Sequence, residues 1–210
     1  MSVIKDIEKC SSVYQIITAD PPWSYRGQVQ RGGKDQDYSS SAAEYYTTIS
    51  VDDLCKMGPA IKRISDPEGC LLYLWYSPPI LEDAMRLMEE WGFTYATTAF
   101  VWVKTKDGQN LQVNPGHYTL SSCEMVNVGK VRRVPKPRGA RNERQVILAP
   151  RTAHSAKPLE VRERITRMHP LQKKIELFSR FDQKKATDPL WDDWGSGVGS
   201  VPWFPPKDDA

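Results

Sequence analysis

Six short apolar runs, each the length of one strand, alternate with stretches of helical periodicity, and this alternation limits the chain more than any other feature. The runs are Tyr14–Ala19, Cys70–Trp75, Tyr95–Lys104, Glu124–Val128, Gln145–Ala149 and Lys174–Phe178. Strand, helix, strand in repetition predicts an α/β domain with a mostly parallel sheet, in which later strands are free to pair antiparallel. Between the second and third runs, Ser77 is placed to cap a helix and Pro78 suits its first turn. Leu81, Ala84, Met88 and Trp91 share one face, and Gly92 closes it. A second helix is expected from Ser50 to Met57, with Asp53 three residues after the Ser cap and an end at Gly58-Pro59. A third runs from Pro158 to about Met168 into the last strand.

At 210 residues, with 40% hydrophobic and 26% charged side chains, residues 1–210 read as a single domain with one core. No stretch approaches the length of a membrane span, and the N-terminus lacks a signal-peptide apolar core. Cys10, Cys55, Cys70 and Cys123 are scattered, so reduced thiols in a cytoplasmic compartment are expected rather than disulfides or zinc. His117, His154 and His169 have no ligand spacing, and no metal site is expected. Net charge +3 permits an anionic partner without requiring one.

Two segments lack periodicity and are expected to be mobile loops. Arg26 to Ala43 is Gly, Ser, Gln and charge. Lys130 to Arg144 carries seven basic residues and one acid, interrupted by Pro135, Pro137 and Gly139. Residues 200–210 form a Pro-rich tail. Trp75, Trp91 and Trp102 fall in strand and helix patterns and are assigned to core.

The first strand ends on Asp20-Pro21-Pro22-Trp23. In open α/β sheets, ligands bind outside the carboxyl ends of strands. Prolines fix the backbone and donate no N–H, which leaves a rigid rim rich in acceptors. The Asp20 carboxylate and Pro21 carbonyl, beside an aromatic plate from Trp23 or Tyr25, suit an NH2 group on a flat ring such as a nucleobase. Such an amine is a poor nucleophile because its lone pair is delocalised. Acceptors on both N–H groups push electron density onto nitrogen, increasingly so as the proton is lost.

Asp-Pro-Pro-Trp, followed in order by YYTTISVDDLCKMGP, LLYLWYSPP, EEWGFTYATTAFVWVKT, GHYTLSSCEMVNVGK, HSAKPLEVRERI, KKIELFSR and WDDWGSG, resembles one family of adenine amino-methyltransferases. It is the family containing the catalytic subunit of the eukaryotic mRNA adenosine methyltransferase and its bacterial and phage relatives. The similarity covers about Tyr14 to Gly199. It implies a Rossmann-like methyltransferase fold in permuted order, with catalytic motif first and cofactor motif last, and S-adenosylmethionine as methyl donor. By this resemblance Asp20, Pro21, Pro22 and Trp23 are catalytic. Lys157, Arg180, Asp182, Gln183, Ser196 and Gly197 line the cofactor site, with Asp20 facing it. Tyr46 resembles a family tyrosine near the base pocket, and Lys130 approximates a family lysine. Arg132, Arg133, Lys136 and Arg138 are candidates for phosphate contact in a nucleic-acid substrate.

The expected activity is methyl transfer to N6 of adenine, on DNA in a compact bacterial or phage-borne chain, with RNA as the alternative. A base in a duplex must be flipped or presented on a single strand, and the 26–43 segment is placed to close over it. The small size predicts modest sequence specificity, or specificity supplied by a partner, a second copy or a related subunit. A non-catalytic nucleic-acid-binding partner subunit is the rival reading, and methylation of a protein glutamine or a cytosine is a third.

Overall fold

The computed structural model describes residues 2–24, 48–116, 118–151, 156–180 and 188–200. Among them eight strands form one sheet: β1 (Ser2–Val3), β2 (Ile16–Ala19), β3 (Gly69–Tyr76), β4 (Thr94–Thr105), β5 (Cys123–Arg132), β6 (Val146–Pro150), β7 (Lys174–Leu177) and β8 (Trp191–Trp194). Their order is β1-β8-β7-β2-β3-β5-β4-β6. All neighbours are parallel except β5, which runs antiparallel between β3 and β4. The mostly parallel α/β architecture is the Rossmann-like one expected.

Strand alternation divides the core into two layers. Ile17, Ala19, Leu72, Leu74, Ile175 and Leu177 face three helices, α1 (Val51–Cys55), α2 (Gly58–Ile64) and α3 (Leu81–Glu90). The alternate residues Ile16, Leu71, Tyr73, Trp75, Phe100, Trp102 and Val126 face α4 (Leu159–Met168). Trp75, Trp91 and Trp102 are all buried, as assigned from the pattern.

Several boundaries differ from expectation for identifiable reasons. Ser50 does cap α1: its hydroxyl accepts the Asp53 N–H at 3.2 Å and donates to the Asp53 carboxylate at 2.8 Å. Gly58-Pro59, however, starts α2 rather than stopping the chain, because a proline in the first turn sacrifices an N–H that has no intrahelical partner anyway. Pro78–Ile80 forms a 3-10 turn ahead of α3, the Ser77 side chain does not cap it, and Leu87 rather than Leu81 is buried. Gly92 closes α3 at φ +88, as its sequence position suggests. Strand β8, Trp-Asp-Asp-Trp, was not expected, since two adjacent acids argue against a buried strand. Asp193 is fully buried, paired with Arg162 at 3.1 Å and accepting the Ser179 hydroxyl at 2.7 Å; Asp192 accepts the Tyr14 hydroxyl at 2.8 Å.

The basic segment departs most. Lys130, Val131 and Arg132 belong to β5 rather than to a loop. The remainder is irregular but tied down: Gly139 and Ala140 donate N–H groups to Met168 and Arg167 carbonyls at 2.9 and 2.8 Å. Gln172 donates to the Pro137 carbonyl at 3.0 Å, and Arg167 pairs with Glu143 at 2.6 Å. These bonds fasten it to the end of α4, so the expected mobile loop is an anchored strap. The 26–43 segment, Tyr25, Tyr46, His117, His154, Asp182, Gln183 and residues 201–210 lie outside the described residues.

Candidate active site

The chain leaves β2 towards β3 on one side, whereas β7 leads to β8 on the other. Connections that depart in opposite directions open a crevice at the carboxyl ends of β2 and β7. Asp20 stands on one lip. On the other, Phe178 adopts φ 60, a left-handed conformation that bulky residues rarely take. Beyond it Ser179 donates its N–H to the Trp194 carbonyl at 2.9 Å. Gly195 packs so closely here that a Cβ would lie 2.4 Å from the Ser179 nitrogen. Ser196 and Gly197 follow, exposed, in a 3-10 turn at the end of β8.

The rim itself is held by backbone bonds. Trp23 N–H donates to the Pro21 carbonyl at 2.8 Å, and Ile49 N–H to the Pro22 carbonyl at 2.8 Å. The Pro21 carbonyl is therefore rigid but already half used, and offers one remaining lone pair. Trp23 is not a stacking plate. It is 7% exposed, belongs to the helix-side core, and its indole N–H donates to the Trp75 carbonyl at 3.0 Å. It anchors the rim, and base stacking must come from elsewhere.

On the α4 face, Asp20 opens a row of alternating charges. Its Oδ2 meets Lys157 Nζ at 2.8 Å; Lys157 meets Glu124 Oε2 at 3.2 Å; Glu124 Oε1 meets Lys104 Nζ at 2.7 Å. Strand parity explains the grouping, because Lys104 and Trp102 alternate on β4, and Glu124 and Val126 on β5, towards one face. The ammoniums of Lys157 and Lys104 lie 5.5 and 5.4 Å from the ring centres of Trp75 and Trp102, which pack edge to face at 6.4 Å. All four charged side chains are largely shielded, with 14 to 23% of their surface exposed.

That shielding shapes their protonation. Loss of solvent raises the Asp20 pKa, and the attraction of Lys157 and Arg180 only partly offsets it; Glu124 adds to the rise. Burial works against the charge on Lys157, but the Asp20 and Glu124 carboxylates outweigh it and hold the ammonium firmly protonated. Burial also works against Glu124, and here Lys157 and Lys104 prevail, so its carboxyl stays below the ordinary range.

Of the candidates from sequence, the structure brings together Asp20, Lys157 and Arg180, with Ser196 and Gly197 two strands away. It does not bring the basic group to them. Arg132 pairs in register with Gly69 and Lys130 with Leu71, at the amino end of β3, whereas Asp20 follows the Ala19–Leu74 pair. Five residues of strand make a separation of roughly 17 Å. Arg132 and Arg133 there pair with Glu68 at 3.3 and 3.0 Å, and Arg138 lies near the buried Tyr73–His169 pair. Lys136 sits in the same strap. The antiparallel turn of β5 is the reason: it carries everything after Val128 away from the rim. Glu124 and Lys104 were missed, since nothing local marks them and only strand register joins them. Among the described residues no cluster of His, Cys, Asp or Glu could hold a metal ion, and no helix is long and apolar enough to cross a membrane.

Residues 14–197 match the family model MT-A70. The chain is 40% identical over 193 residues to the Type II methyltransferase M.MunI of Mycoplasma sp, an alignment covering 87% of this chain and 76% of that protein. It is 25% identical over 169 residues to the human N(6)-adenosine-methyltransferase catalytic subunit METTL3, covering 80% of this chain and 26% of the relative. With subunit METTL3 of Danio rerio the identity is 24% over 196 residues, 92% of this chain and 30% of the relative. The chain thus spans most of the first relative and between a quarter and a third of the other two.

Proposed function

This chain belongs to the MT-A70 family, and we propose that it transfers a methyl group from S-adenosylmethionine to the exocyclic N6 of adenine in nucleic acid, DNA being favoured. The observation that carries this reading is Asp20: a carboxylate at the mouth of the crevice, one oxygen held by Lys157 and the other, Oδ1, without a partner among the described residues. DNA is favoured because the chain aligns over most of a Type II methyltransferase but over only part of the N(6)-adenosine enzymes.

The residues present fit the donor chemically. Lys157 and Arg180 supply cationic N–H donors for its carboxylate, Asp20 supplies negative charge near a sulfonium, and Ser196 and Gly197 are exposed in the turn that follows β8. When bound, S-adenosylmethionine supplies a methyl carbon activated by positive sulfur. The chain's own part is to hold the amine. Asp20 Oδ1 and the remaining lone pair of the Pro21 carbonyl accept its two N–H groups. Nitrogen is thereby pulled towards tetrahedral geometry, and these bonds strengthen as nitrogen gains positive charge during attack; the surplus proton then leaves to solvent. Fixing the carboxylate between Lys157 and a proline-stiffened backbone supplies orientation.

Asp182, Gln183, Tyr25 and Tyr46 keep the roles implied by the family as proposals. The basic strap can meet nucleic acid only far from the reacting base. The test is incubation with isotope-labelled donor and single-stranded DNA, duplex DNA and RNA oligonucleotides, followed by nucleoside mass spectrometry. The expected result is label on adenine N6, strongest from DNA. Label confined to another base or to protein would overturn the reading, and label on RNA alone would move it to the RNA enzymes.

A further inference from the structure

Resting on the reading of Asp20 as the acceptor of the amine, we propose that Lys104 is a positioning residue: through Glu124 and Lys157 it sets the orientation and charge of the Asp20 carboxylate. Lys104 lies on β4, three strands away from β2 across the sheet, and touches neither lip of the crevice. Its side chain occupies Oε1 of Glu124, which leaves only Oε2 for Lys157. Lys157 is thereby prevented from becoming the sole partner of both Glu124 oxygens, and its ammonium settles against Asp20 Oδ2 at 2.8 Å. Asp20 Oδ1 is left without a partner among the described residues.

The two lysines differ in how they are fixed. Lys104 sits inside the sheet, its N–H donating to the Ser122 carbonyl at 2.7 Å and its carbonyl accepting from Gln112 at 2.9 Å. Lys157 lies in no strand or helix, two residues before α4. Among the described residues its side chain is placed by the two carboxylates and the Trp75 ring. The ordered end of the row is therefore Lys104, and order passes from it to Lys157.

Charge passes the same way. Among the described residues Asp20 faces Lys157, Glu124 and Arg180. With Lys104 present the row of two carboxylates and two ammoniums is neutral. Without it Glu124 is incompletely neutralised, and its field favours a proton on Asp20. Removing the charge of Glu124 has the opposite sign.

Three variants separate this coupling from a merely structural role. In Lys104→Met, kcat for adenine methylation is expected to fall about tenfold with cofactor KM within about threefold. The acid limb of its pH profile should move up by roughly half to one unit. In Glu124→Gln that limb should move down. Lys104→Arg should restore kcat to within about threefold, and Lys104→Gln serves if the Met variant does not fold. The Asp20 carboxyl resonance, followed by NMR titration of protein labelled at aspartate carboxyl carbons, reads the coupling without any turnover. Opposite displacements in Lys104→Met and Glu124→Gln support the proposal. Identical Asp20 titrations in wild type and both variants overturn it, whatever the activity. A wild type that methylates no adenine but whose Asp20 titration still follows Lys104 rejects the methyl-transfer reading and keeps the coupling.

Discussion

The two ends of the sheet use their charged side chains in opposite ways. At the carboxyl end, Asp20, Lys157, Glu124 and Lys104 alternate in sign, lie mostly out of solvent, and rest on two tryptophans. At the amino end, Arg132, Arg133 and Glu68 pair in the open, with 64 to 78% of each side chain exposed. Water screens the second group, so its geometry is loose and its charges act nearly independently. Shielding ties the first group together, and each proton there depends on its neighbours. Charge density along the sequence therefore points to the wrong end of the molecule.

The sharpest way to break this comparison is to remove one member at each end. Asp20→Ala should cost on the order of a thousandfold in methyl-transfer rate, measured with saturating cofactor, because the amine loses its charged acceptor. Lys157→Met should cost about a hundredfold, since Asp20 then loses its orienting partner and keeps only the attraction of Arg180 against the charge of Glu124. The pH profile sharpens the same contrast. Acceptance of N–H groups needs the Asp20 carboxylate, whose pKa is raised from 3.8 by burial. Rate should be full above that raised value and fall tenfold per unit below it, so the acid limb of kcat should lie above the ordinary aspartate range. At the other end, Arg132→Ala together with Arg133→Ala should leave the rate on a short oligonucleotide within about twofold and the melting temperature within about 2 °C.

Legibility in the sequence followed the range of each interaction. Asp20-Pro21-Pro22-Trp23 is contiguous, and strand, rim and crevice could be inferred from it. So could the Ser50–Asp53 cap and the Gly92 stop, which depend on residues three apart or fewer. Lys157 was reached only through family resemblance, because 137 positions separate it from Asp20 and nothing local marks it. Lys104 and Glu124 escaped altogether: their meeting depends on the Trp102–Glu124 register, which hydrophobic pattern does not specify. Strand β8 was hidden for a related reason. Its buried acids are tolerated because Arg162, Ser179 and Tyr14, from distant segments, satisfy them. Trp23 was assigned to the rim correctly as a position and incorrectly as a surface, since only the Trp75 carbonyl reveals which way its indole turns.

The central claim is that Asp20 accepts hydrogen bonds from the amine it activates. An oligonucleotide carrying 15N at N6 of the target adenine, bound together with S-adenosylhomocysteine so that no transfer occurs, reports this directly by NMR. The amino protons should move downfield on binding wild-type protein and stay near their free positions with Asp20→Ala at equal saturation. The same displacement with both proteins would contradict the account.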